Sequence, residues 1–160
     1  MQAIDLADRL ERAITGPMWH GPALSQLLKN VTAAEALSHP ITGAHSIAEL
    51  VEHVAVWAEI AHQRLAGRAA SEPSDSEDWP AVPAFDEAGW QHRTEHMAGS
   101  YRSLAVSARE LSADRLASLV SGQKYSLADM LQGVVEHGTY HGGQIAILRR
   151  ALHGAGLPSR

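Results

Sequence analysis

The chain contains no cysteine, so disulfides, iron–sulfur clusters and thiolate catalysis by the protein itself are excluded. It has no Lys/Arg-rich run. Its formal net charge is −5 and its pI about 6.0, which argues against an electrostatic nucleic-acid binder. No apolar run approaches membrane-spanning length. No signal peptide opens the chain, because Asp5, Asp8 and Glu11 interrupt the first apolar positions. Internal repeats and strand-like alternation are also missing. These absences lead to the expectation of a soluble cytoplasmic protein without nucleic-acid or membrane partners. Any metal it binds must be held by histidine and carboxylate.

At 160 residues, 45% hydrophobic and 19% charged, the chain can bury one substantial core, so residues 1–160 are read as one domain. Ala3, Ala7, Leu10 and Ile14 share one stripe of a first amphipathic helix over residues 2–15, stopped by Gly16-Pro17. A second segment carries Leu24, Leu27, Leu28 and Val31 on one side, and a short turn follows around Thr32–Ala36. Ser46 and Glu49 form a capping-box pattern opening a helix that runs to about Gly67. Its stripe is Ile47, Leu50, Val51, Val54, Trp57, Ala58, Ala61 and Leu65. Residues 68–84 read as a long irregular loop rich in Pro, Ser and acid, a functional cover or a mobile segment, with Trp79-Pro80 as its apolar anchor. A helix over roughly 86–111 turns Trp90, Met97, Tyr101, Leu104, Ala108 and Leu111 inward. A helical turn at Ala113–Leu116 leads to Ser126, which caps a last helix ending near His153. The fold class is all-α, with four principal helices around one core.

Ten histidines are the compositional oddity. His137 and His141 are four apart, so on a helix they stack on one face. Counting 100° per residue from Leu127, they fall at about 280° and 320°, beside Met130 and Leu148 at about 300° and Val134 at about 340°. Both therefore point into the core, where each is either a separately hydrogen-bonded core residue or one of two ligands to a shared metal. His92 and His96 have the same spacing but lie at about 200° and 240° from Trp90, away from the inner stripe. They should face solvent. His20 sits in a helix break and is not counted as a ligand, and His62 is a boundary residue. His53 lies at the edge of its helix stripe, about 40° from Trp57, and can turn inward.

If His53, His137 and His141 converge, three neutral imidazoles can bind a divalent ion and leave a coordination position open. That position can hold water of lowered pKa, or take a thiolate or carboxylate directly. Imidazole suits zinc, nickel, iron or manganese, with zinc or nickel favoured. The motif is not that of an HEXXH metalloprotease: Gly138 follows His137, and Glu136 points to the surface. Trp57, Tyr140 and Gln144 are candidates for lining the site.

Trp19, the run Ser46-Ile47-Ala48-Glu49-Leu50-Val51-Glu52-His53, Asp78-Trp79-Pro80, and His137-Gly138-Thr139-Tyr140-His141-Gly142-Gly143-Gln144-Ile145 together resemble the DinB/YfiT-like superfamily. The resemblance covers nearly the whole chain in order and spacing, and the last motif is its most specific part. It implies a four-helix bundle, a homodimer, and a metal held by His53, His137 and His141. Some relatives transfer low-molecular-weight thiols such as bacillithiol or mycothiol, some isomerise maleylpyruvate with a thiol cofactor, and some are labelled metal-dependent hydrolases. The leading expectation is a thiol-dependent S-transferase acting on a small electrophile. A metal-dependent hydrolase and a non-catalytic, metal-binding dimeric bundle are the alternatives.

Overall fold

The computed structural model describes residues 2–68 and 72–154, which form eight helices and no strand. Four are long: α1 (Ala3–Thr15), α4 (Ile47–Leu65), α6 (Glu87–Arg109) and α8 (Leu127–His153). They pack in a closed cycle, α1 on α6, α6 on α4, α4 on α8 and α8 on α1. Four are short: α2 (Leu24–Leu28), α3 (Ala33–Leu37), α5 (Asp75–Asp78) and α7 (Ala113–Ala117).

Helix starts follow the expected chemistry. Ser46, Thr32 and Ser126 each accept a hydrogen bond from the backbone N–H three residues on, and Glu49, Glu35 and Asp129 bond back. The buried faces are broader than single stripes. On α4, Ala48, Ala55 and Arg64 are buried besides the expected residues, except that Trp57 is only half-buried. On α6, Ser100 and Ala105 join Met97, Tyr101 and Leu104. Each of these helices meets two neighbours in the cycle, so two adjoining faces leave water. Each large apolar side chain so buried contributes roughly 1.5–3 kcal/mol against the unfolded chain.

The 68–84 segment is not uniformly irregular. Ser74 and Glu77 exchange backbone and side-chain hydrogen bonds, and this local box winds Asp75–Asp78 into α5, which packs on α4. The part of that loop at residues 69–71 lies outside the described residues.

Where the Tyr101 side chain of α6 reaches across the core to α8, its hydroxyl requires glycine. A Cβ on Gly138 would stand 2.6 Å from Tyr101 Oη, whose hydroxyl donates to Val134 O at 3.1 Å inside the core. That contact lets the histidine-bearing turn of α8 sit flush against the bundle.

Candidate metal centre

His53 comes from the second turn of α4, and His137 and His141 from the middle of α8, the neighbour in the cycle. Their ligand atoms lie within 4.8 Å of one another. Among the described residues this is the one cluster of histidine and acidic groups that can hold a metal ion. The three Nε2 atoms converge: His53 to His137 at 2.9 Å, and His141 to His137 at 3.0 Å.

Proton accounting decides what this convergence means. His53 Nδ1 faces two acceptors, the carbonyl of Asp78 at 2.8 Å and its Oδ1 at 3.1 Å, so Nδ1 carries the proton and Nε2 a lone pair. His141 Nδ1 donates to Gln144 Oε1 at 2.7 Å, with the same result. His137 Nδ1 is buried and has no hydrogen-bond partner. The His137 ring is neutral: burial first, then the charges of His141 and His53, lower its pKa to about 3. Its single proton can serve one of the two facing lone pairs if placed on Nε2. If placed on Nδ1, three lone pairs meet. Neither arrangement satisfies the cluster, whereas a cation among the three nitrogens does. Zinc–imidazole bonds of about 2.0–2.1 Å in a tetrahedron set nitrogens about 3.3 Å apart. The pairs at 2.9 and 3.0 Å therefore need to part by only a few tenths of an ångström, and all three ligand atoms already lie within 4.8 Å of one another. The donor set fits a divalent ion. Burial also lowers the pKa of His141, opposed by the Gln144 hydrogen bond, which keeps its Nε2 available at neutral pH.

The orienting contacts come largely from the loop. Trp57 Nε1 donates to Asp78 Oδ1 at 2.6 Å, fixing the carboxylate that faces His53. Trp79 lies flat on His53, ring centroids 3.9 Å apart, and His45 stacks on the other face of Trp79 at 3.6 Å. The segment at 72–79 thus covers one side of the cluster. Tyr140 touches His141 edge-on at 4.9 Å but is 65% exposed. His92 and His96 are exposed, with their rings stacked and His96 paired to Glu59 at 2.8 Å. Their spacing alone builds no site. His62 bonds Ser107 at 2.9 Å across the α4–α6 boundary, and His20 is exposed in the α1–α2 connection.

Sequence reasoning named Asp78 only within the Asp78-Trp79-Pro80 motif and gave no role to Asp78, His45 or Arg64. The Ser74–Glu77 pattern announces α5, but nothing local says that its end docks on a histidine. Arg64 is 5% exposed on α4 and lines a cavity of about 430 Å³ with Trp57, Ala61, Tyr125, Met130, Gly133 and Val134. His137 closes one end of that cavity.

Fold and cluster together define a helical protein with a buried three-histidine site able to hold a metal. The model of the DinB superfamily matches residues 18–145, and the chain belongs to that superfamily. The match takes in all three histidines. No curated protein and no solved structure matches the chain. No helix among the described residues is long and apolar enough to cross a membrane.

Proposed function

We propose that this protein is a metal-dependent enzyme whose His53, His137 and His141 hold a divalent ion, zinc or nickel in the first instance, and that it transfers a low-molecular-weight thiol to a small electrophile. The observation that carries the reading is the meeting of three Nε2 atoms, two of them with the proton already committed to Nδ1. When bound, the ion supplies a Lewis acid that lowers the pKa of a coordinated thiol. The chain's own residues do the rest. Asp78 and Gln144 hold two imidazoles in the ligating tautomer, Trp79 excludes water from one face of His53, and the cavity beside His137 receives the reactant.

Thiol transfer is preferred to hydrolysis because of what the nearest carboxylate does. Attack by water needs a general base, and Asp78 Oδ1 already accepts from Trp57 Nε1 and faces His53 Nδ1. A metal would lower the pKa of bound water as well as of a thiol. The preference therefore rests on the lack, among the described residues, of a free carboxylate at the cluster to move protons in the later steps of hydrolysis, which a thiolate transfer does not require. Cobalt-substituted protein tests the reading. Addition of N-acetylcysteine should produce a thiolate-to-cobalt charge-transfer band in the near ultraviolet that is absent from the His137→Ala protein. A cobalt spectrum indifferent to thiols would leave the hydrolase and the non-catalytic metal-binding bundle. Assembly as a homodimer belongs to the same proposal, and sedimentation of the metal-loaded protein tests it.

A further inference from the structure

The cavity beside His137 has a second end. Along α4 its lining runs Trp57, Ala61, Arg64, and along the antiparallel α8 it runs His137, Val134, Gly133, Met130. His137 thus stands at one end and Arg64 with Tyr125 at the other. Trp57 and Arg64, the outermost α4 residues of the lining, are about 10 Å apart along the helix axis at about 1.5 Å per residue. Between the ends the walls are apolar. Arg64 is 5% exposed, its guanidinium donates to Tyr125 Oη at 2.8 Å, and it lies 5.8 Å from the Trp57 ring centroid. Glu72 reaches it from the loop at 3.4 Å with a side chain 64% exposed.

Gly133 supports the reading of this space as a binding chamber. It lies inside α8, where glycine is a poor helix former. Unlike Gly138, a Cβ there would meet nothing within 4 Å. Packing does not demand this glycine, and its effect is to leave the floor of the cavity open.

We propose that the cavity binds an elongated, largely apolar small molecule whose anionic group, a carboxylate in the simplest case, pairs with Arg64 and Tyr125 while its other end reaches His137. This rests on the enzymatic reading above for what happens at the histidines, but the anion pocket stands on its own geometry. Two acidic groups lie at the same end, Glu72 and Asp129. Both are exposed, and Asp129 is engaged by the Ser126 N–H and hydroxyl at 3.0 and 2.7 Å. Exposed charges are screened by water and salt. A buried guanidinium acts through a lower effective dielectric, roughly fourfold more strongly at equal distance, and its planar fork matches a carboxylate. The ligand's carboxylate would take the place of Glu72.

Titration of 4-phenylbutyrate, 4-phenylbutan-1-ol and 4-phenylbutylamine, followed by Trp fluorescence and calorimetry in zinc-loaded and metal-free protein, tests this. These probes share one apolar body and differ in head-group charge. The acid should bind at least tenfold more tightly than the alcohol, with the amine weakest. That preference should vanish in Arg64→Gln and persist in Arg12→Gln. Gly133→Leu should abolish binding of all three in a folded protein, and Tyr125→Phe should weaken the acid alone, which keeps the test decisive if Arg64→Gln does not fold. Equal binding of the three probes, preference for the amine, or an acid preference untouched by the Arg64 and Tyr125 variants would overturn the proposal. Arg64-dependent acid binding in a protein that takes up no metal would uphold the anion pocket and remove the metal chemistry. Zinc uptake without head-group preference would do the reverse.

Discussion

His53 Nε2 on α4 and His137 Nε2 on α8 stand 2.9 Å apart, and the first has no proton to offer because its Nδ1 proton is held by Asp78. A core assembled only for stability would not place such atoms together, since unsatisfied buried lone pairs each cost about 1–3 kcal/mol. Two of the three imidazoles are held with Nε2 turned into the cluster by residues outside the triad, Asp78 and Gln144.

Gln144 is the simplest of these to remove. Its Oε1 holds the His141 Nδ1 proton at 2.7 Å, one turn further along α8. Gln144→Leu should leave helix content unchanged and weaken zinc affinity about tenfold or more, the usual loss when a ligand's orienting hydrogen bond is deleted. Competition with a chromophoric chelator measures it.

Metal-free protein should lose stability in acid because of His137. Its pKa is about 3 in the folded state and near 6.5 unfolded. Above pH 6.5 the ring is neutral in both states and contributes no pH dependence. As pH falls from about 6.5 toward 3, the unfolded chain takes up a proton that the folded chain refuses, so stability declines across that window. Thermal melts of chelator-treated protein should show the decline. His137→Leu, which also removes the unpartnered Nδ1, should flatten it.

Two glycines of α8 should respond oppositely to alanine. Gly138→Ala forces a Cβ to 2.6 Å from the Tyr101 hydroxyl and should destabilise by about 1–3 kcal/mol, with Tyr101→Phe recovering part of the loss. Gly133→Ala meets open space and should stabilise by up to about 1 kcal/mol through helix propensity. Urea denaturation of the two variants separates the cases.

The helical order and the facing of the α8 pair were legible because both depend on local chemistry. Capping boxes mark where helices begin, and a 100° step places His137 and His141 beside Met130 and Leu148 while sending His92 and His96 outward. What was not legible depends on contacts between segments far apart in the chain. Asp78 touches His53 only because α5 docks on α4, a packing choice with no local signature. Arg64 is charged and near a helix end, features of a solvated residue, and its burial follows from Tyr125 and Trp57 closing over it. α5 itself was readable in principle from Ser74 and Glu77 but was lost among the loop's proline, serine and acid.

The central claim is that three histidines from two helices form one metal site. Elemental analysis of untagged protein, run on the wild type, His53→Ala, and the His92→Ala/His96→Ala double variant, tests it most directly. About one metal ion per chain should be found in the wild type and in the double variant, and none in His53→Ala, with helix content by circular dichroism unchanged in all three. Wild-type protein that neither carries metal nor takes up zinc, nickel or manganese would contradict the claim, as would equal metal loss from the His53 and His92/His96 variants.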